Sequence, residues 1–198
     1  ALCQHLPELQ DISHLLMQLE IPIATVTAYA QRAQACGVQV VLNAAPAQAL
    51  PPELLRAVDI LVVNEGELRA LVAKGETVVA MLRQIAVPTV VVTLGQRGCI
   101  ARQYDDFMVQ PAFKVSPMDT TAAGDTFCGT LVAHLGRGET LAQAICLASA
   151  AAALACTASG AQSSIPSALE VDSFLRQQPM EDQTQFDALR RYCGLEAR

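Results

Sequence analysis

The sequence contains no Trp, and aromatic residues make up only 4% of it. Its apolar content is instead Ala, Val and Leu, which suits helices packed on a buried sheet. Charge is sparse at 16% and tilts acidic, to a net −6. That balance speaks against nucleic acid or an anionic membrane as the main partner. The three His, at 5, 14 and 134, stand in no ligand spacing with Cys or acids, so a transition-metal site is not expected. Seven Cys are present, an odd number with no C-x-x-C pair, and most sit in apolar runs. They read as small hydrophobes in a reduced, cytoplasmic compartment. No G-x-G-x-x-G follows a first strand, which argues against a dinucleotide-dependent oxidoreductase, and no G-x-x-x-x-G-K-[ST] marks a Walker-type nucleotidase. No leader pattern is visible, although the chain does not begin with Met. The longest apolar run, 141–158, is Ala-rich, carries Gln143, Ser149 and Thr157 and lacks aromatic flanks. It reads as a buried core helix rather than a membrane span.

At 198 residues and 52% hydrophobic, the chain is long enough for a sizeable core. Apolar runs alternate with amphipathic stretches. HLLMQLE (14–20), VQVVLN (38–43), DILVVN (59–64) and PTVVVTLG (88–95) read as strands. Helices are predicted over 22–37, with Pro22 in the first turn and Gly37 closing it, over ELLRAV, from EGELRALVA onward, and over 75–87. β-branched runs apolar on both faces predict parallel strands covered on each side. The fold class is therefore α/β, a doubly wound, mostly parallel sheet with helices on both faces. Residues 98–115 break the rhythm as short antiparallel strands. Two helices follow within 122–158 and another over 166–178, with Pro at its start. We read 1–178 as one domain and 179–198 as a polar tail, either a loosely packed helix or unfolded.

In open α/β sheets, ligands bind beyond the carboxyl ends of the strands. Three motifs fall there: NEGE after the third strand, TLGQRG after the fourth, and TAAGD at the later helix. Ala122, Ala123 and Gly124 are all small, so the amides at this helix start are open to close approach. Such amides, with the helix dipole, suit an anion. Asp125 stands beside them and Asp119 six residues earlier. A carboxylate at a helix start also serves as an ordinary cap. Joined to an amide cradle, it is what phosphoryl transfer to an alcohol requires.

DTTAAGDTF resembles the signature of the ribokinase-like sugar kinase family. LLMQLEIP, VVLNAAPAQALP, NEGE, VVTLGQRG and SGAQSSIP resemble further stretches of that family in the same order, over about 15–175. LNAAPA, MQLE and GAQSSIP point within it to the ribokinase branch. The resemblance implies ATP-dependent phosphorylation of a sugar primary hydroxyl, with D-ribose as the expected acceptor. It implies Asp125 as general base and Ala122, Ala123, Gly124 and the Asp125 amide as anion hole. It implies Asn64 and Glu67 as the Asn-x-x-Glu element, with Glu67 reaching Mg²⁺ through water; alone, Glu67 reads as a solvated first-turn acid. Thr93, Gly95 and Gly98 match the nucleotide loop, where a plain turn would explain the glycines equally well. Ser149 matches the adenine pocket, at a place where many relatives carry a larger residue. Asp119, Thr121, Ala155, Ala158, Gly160 and Ser164 match the region holding a monovalent cation, usually K⁺. Glu20 matches a ribose-contacting acid and otherwise reads as an exposed strand end.

The sequence also departs from the family. The Gly-Gly-rich sugar-binding segment, a sugar-binding Asp and the small β lid of longer members do not appear. The fold is thus expected to be N-terminally incomplete, a fragment that is poorly stable alone or completed by a partner; homodimerisation, which often uses the lid, is the other partner expectation. A non-catalytic nucleotide-binding or regulatory remnant is the alternative function. The stretch from Asn64 to Gly95 is shorter than usual, so a rearranged helix is expected there. Ala123 replaces a common Gly.

Overall fold

The computed structural model describes residues 9–72, 74–179 and 182–196; Cys3 and His5 lie outside them. The elements are β1 (His14–Met17), α1 (Ile23–Ala35), β2 (Gln39–Asn43), α2 (Pro52–Arg56), β3 (Ile60–Asn64), α3 (Glu65–Leu71), α4 (Val78–Leu82), β4 (Thr89–Thr93), a 3₁₀ turn (Gly95–Arg97), β5 (Gly98–Gln103), β6 (Asp106–Pro111), α5 (Ala123–Leu135), α6 (Leu141–Ala155), α7 (Ala168–Gln177) and α8 (Gln183–Cys193). The six strands form one sheet in the order β1-β2-β3-β4-β5-β6. The first four run parallel, and the two residues between β5 and β6 permit only a hairpin. The α/β class with a mostly parallel sheet is thus the observed one, as a mixed sheet whose strands follow chain order.

The chain divides into two compact units. The first takes the residues up to Leu94, with Ile100–Phe107 and Tyr192–Leu195. Its centre is the Val-rich ladder: Val40, Val41, Leu42, Leu61, Val90, Val91 and Val92 have no solvent exposure, as strands covered on both faces require. Helix α1 buries Val26, Ala30 and Ala33, one stripe at helical spacing. Gly37 does close it, at φ 74. The Gly37 amide donates to Gln34 O and the Val38 amide to Ala33 O, both at 3.0 Å, a Schellman ending. Pro22 is the residue before the first turn rather than part of it.

The helix expected over 75–87 is far shorter, only Val78–Leu82. Thr77 caps its start through the Ala80 amide at 3.1 Å. Beyond its end, the Arg102 guanidinium donates to Ile85 O at 2.7 Å and Val87 O at 2.9 Å. Those carbonyls are drawn to β5, and Pro88 disfavours helix at the residue before it.

The second unit holds Gly95–Cys99, Met108–Arg191 and Glu196 among its described residues. Helices α5 and α6 pack together, joined by a turn that ends in a Thr140–Gln143 capping box. Helix α6 buries Ala144, Ile145, Ala148, Ala150, Ala151 and Ala155, so the apolar run at 141–158 is a core helix. No helix among the described residues is long and apolar enough to cross a membrane. Against α6 lie Val171, Phe113 and Phe174, with the two rings edge to face at 5.5 Å. Pro166 precedes α7, which starts from a Ser167–Glu170 capping box. The polar tail contributes α8, in which Leu189 and Cys193 are buried.

Candidate active site

In the second unit, the small-residue approach to α5 is a fixed turn. Asp119 Oδ1 accepts from the Thr121 amide at 2.9 Å, and Asp119 Oδ2 accepts from the Gly160 amide at 3.3 Å. The Met118 and Asp119 amides donate to Cys156 O at 2.7 and 3.2 Å. These bonds tie the turn to the end of α6. The Thr121 contacts, and then the Gly160 amide, hold the Asp119 carboxyl below the usual range. Burial, reinforced by the Asp119 charge, pushes the Cys156 thiol up.

Ala122 carries the chain into α5 with φ 60, in the left-handed region. That conformation costs a non-glycine residue about 1–2 kcal/mol. Its carbonyl accepts the Thr126 amide at 2.8 Å, the first full turn of the helix. The Ala123 amide, one of those expected to bind an anion, is directed at Thr120 O, at 3.3 Å. A Cβ on Gly124 would meet nothing within 4 Å, so the first turn is open on that side. Asp125 is exposed beside it.

Two buried hydroxyls here lack a protein partner. Thr126 is 4% exposed and Ser164 5%, and neither Oγ atom has one. Ser164 was anticipated for the monovalent cation. Thr126 was not, although its place directly after Asp125 was a visible signal. Of the anticipated cation set, Asp119, Thr121 and Gly160 are brought into direct contact. Ala155 ends α6 and Ala158 lies just beyond it, where the Ala158 amide donates to Ala155 O at 3.4 Å. Ser149, half-buried, places its Oγ 3.8 Å from Cys99 Sγ.

The two loop glycines differ in what surrounds them. Gly95, at φ +58, has nothing within 4 Å of where a Cβ would be. Gly98, at φ +109, has the Gln110 carbonyl oxygen against that place and Ala112 N at 2.6 Å. The close approach it allows is to the backbone of β6.

In the first unit, Asn64 ends β3 and Thr93 ends β4, and the two are register partners. Asn64 also caps α3. Its Oδ1 accepts the Glu67 amide at 2.9 Å, and Glu67 Oε2 accepts the Asn64 amide at 2.7 Å. This capping box fixes both side chains. Glu67 is 9% exposed; its Oε1 makes no hydrogen bond among the described residues. Gly66 is part of the fit, since a Cβ there would stand 3.2 Å from Asn64 Oδ1. Glu20 is exposed beyond β1 and forms no hydrogen bond with Asn64, Glu67 or Thr93. Among the described residues, no three His, Cys, Asp or Glu side chains gather as a metal cluster.

A family model for pfkB family carbohydrate kinases matches residues 6–168. Ribokinase of Haemophilus influenzae is 42% identical over 168 residues, covering 81% of this chain and 55% of its own. The crystal structure of ribokinase from Thermotoga maritima is similar at a TM-score of 0.76 and 35% identity, over 83% of this chain and 57% of that one. Arabidopsis thaliana ribokinase complexed with ribose and ATP gives a TM-score of 0.79 at 29% identity, over 84% and 56%. The chain spans about half the length of the curated relatives it matches.

Proposed function

Because the chain belongs to the pfkB family of carbohydrate kinases, we propose that it supplies the phosphoryl-transfer half of an ATP-dependent sugar kinase, with D-ribose as the acceptor. The observation that carries this reading is the exposed Asp125 on the first turn of α5, with open space where a Gly124 side chain would stand. Asp125 accepts the proton of the acceptor's primary hydroxyl while that oxygen forms its bond to the γ-phosphorus and ADP departs. A positioned base of this kind contributes about 10²–10⁴-fold. The Gly124 and Asp125 amides, aided by the helix dipole, receive the charge that develops on the transferred group. Ala122 and Gly95 keep the backbone close and bare for the nucleotide, and Ser149 and Thr93 are assigned to it by similarity.

Two cations belong to this reading, and the residues present fit both. Glu67 has one carboxylate oxygen held by Asn64 and one left for water, which suits Mg²⁺, a cation that keeps several waters. Bound there with ATP, Mg²⁺ supplies charge neutralisation on the phosphates. The orphaned Ser164 Oγ and the well-ionised Asp119 suit a monovalent cation such as K⁺, with Thr121, Gly160, Ala155 and Ala158 offering carbonyls around it. None of the six described cysteines forms a disulfide, in keeping with the cytoplasmic setting we assign.

Ribose-dependent ADP release by the full chain tests the assignment. Asp125→Asn is expected to lower it about 10²–10⁴-fold while ATP binding by calorimetry is kept. ATP binding lost along with turnover would overturn the role of Asp125 as base. ATP binding by the unmodified chain without any ribose-dependent turnover would favour a nucleotide-binding remnant, a reading that the chain's partial coverage of its relatives supports.

A further inference from the structure

The family model ends at residue 168, and α8 lies beyond it. The end of α8 is nevertheless fastened into the first unit. Tyr192 Oη donates to Glu65, at 2.8 Å from Oε1 and 3.0 Å from Oε2. Cys193 has no solvent exposure. Gly194, at φ +87, lies so close to Thr77 that a Cβ would stand 2.6 Å from its Cβ and 2.7 Å from its Oγ1. Tyr192 thus meets the first residue of α3 and Gly194 the cap of α4, with buried Cys193 between them.

Glu65 is the residue between the cap Asn64 and the rest of the first turn. Helix α3 has only seven residues, too few to persist without tertiary support. Its first turn is also where Asn64 and Glu67 hold each other. Glu65 is gripped on that turn by Tyr192 from 127 positions away and by Arg69 one turn on, at 2.7 Å. The Arg69 side chain is 58% exposed, so that pair is a weak restraint. Tyr192, itself 38% exposed, joins Glu65 over a far longer stretch of chain and through both carboxylate oxygens.

We propose that Tyr192 is a positioning residue: through Glu65 it fixes the first turn of α3, and so the orientation of Asn64 and Glu67 toward the Mg²⁺–nucleotide group. Its functional half rests on the reading of Asn64 and Glu67 given above. The contact touches neither nucleotide nor acceptor. It acts by keeping the capping box closed, so that the free oxygen of Glu67 points one way.

Amide hydrogen exchange of the ligand-free full chain tests the anchoring, and ATP calorimetry with and without Mg²⁺ tests its consequence. Tyr192→Phe is expected to speed exchange at the Glu67 and Leu68 amides about 2- to 12-fold, the factor an ordinary net hydrogen bond represents, with β2–β4 unchanged. Mg²⁺-dependent tightening of ATP is expected to weaken by a similar factor, with Mg²⁺-free binding unaltered. Glu65→Gln, which keeps an acceptor, is expected to behave as the unmodified chain. Glu65→Ala is expected to match Tyr192→Phe, and the double variant to add nothing. Unchanged exchange in Tyr192→Phe, or exchange raised evenly through β2–β4, would overturn the anchoring. Faster local exchange with unaltered Mg²⁺ dependence would overturn the positioning role. Should Mg²⁺ have no effect on ATP binding by the unmodified chain, the Mg²⁺ reading of Glu67 falls and this inference falls with it in its functional half, while exchange alone decides the anchoring.

Discussion

Gly95 and Gly98 stand three residues apart in one loop motif, yet the backbone asks different things of them. Both have positive φ, +58 and +109. Gly95 faces open space, so a methyl group there adds only backbone strain, roughly 1–2 kcal/mol. At Gly98 the methyl group would also strike Gln110 O, Pro111 C and Ala112 N, the last at 2.6 Å. These are backbone atoms of the neighbouring strand and cannot swing aside. Overpacking adds about 1–3 kcal/mol to the strain. Urea unfolding is therefore expected to show Gly98→Ala losing markedly more stability than Gly95→Ala. Equal losses would mean that Gly98 is not a packing position. Sequence spacing presented both as loop glycines, because a pattern of residues does not record which neighbour the Cβ would meet. The same limit hid Ala122: nothing in an Ala signals a left-handed backbone. Asn64 and Glu67 differ: an Asn followed three residues later by Glu, just after a Val-rich strand, is the mark of a capping box, a signal that the reading of Glu67 as a solvated acid passed over, since the box leaves it only 9% exposed.

Among the elements, β2, β3 and β4 were legible because burial on both faces demands uninterrupted β-branched runs, and such runs have few other uses. Helix α4 was not, since the carbonyls of Ile85 and Val87 just beyond its end are taken by Arg102 from another strand, a contact that periodicity cannot contain. Helix α8 lay between these cases. Phe186, Leu189 and Cys193 keep helical spacing through a polar tail, a faint stripe that marks the buried face. Its last turn makes Cys193 a reporter of the element. Burial, with the nearby Glu65 charge, raises that thiol from 9.0 to about 12. The folded state thus holds the proton that the unfolded chain releases near 9. Stability from this group is complete below that pH and is lost as pH climbs toward about 12. Urea midpoints are expected to fall across this window more steeply for the unmodified chain than for Cys193→Ala. Identical slopes would show that the thiol is not enclosed by α8.

For the whole molecule, the question is whether two compact units mean two independent folding events. The chain passes between the units after Leu94, Cys99, Phe107, Arg191 and Leu195. One of those passages falls inside β5, whose Gly98 and Cys99 belong to one unit and Ile100–Gln103 to the other. A separable domain is joined through exposed linkers that few contacts cross; a strand divided along its length is the reverse. Helix α8 repeats the pattern, with its body in one unit and Tyr192 and Cys193 in the other. Melting either unit would remove part of a strand and part of a helix from the other, so neither retains a complete set of elements. A single cooperative transition is the expected result. Pulsed alkylation read by mass spectrometry checks this, because Cys193 reports on the first unit and Cys128 on the second, and both are buried. Their modification is expected to rise at one urea concentration, coincident with the loss of helical circular dichroism, while exposed Cys36 is modified throughout. Two separated midpoints would instead mean that β5 can be held by one unit alone, and that the capping-box half of the chemistry can melt while the α5 half persists.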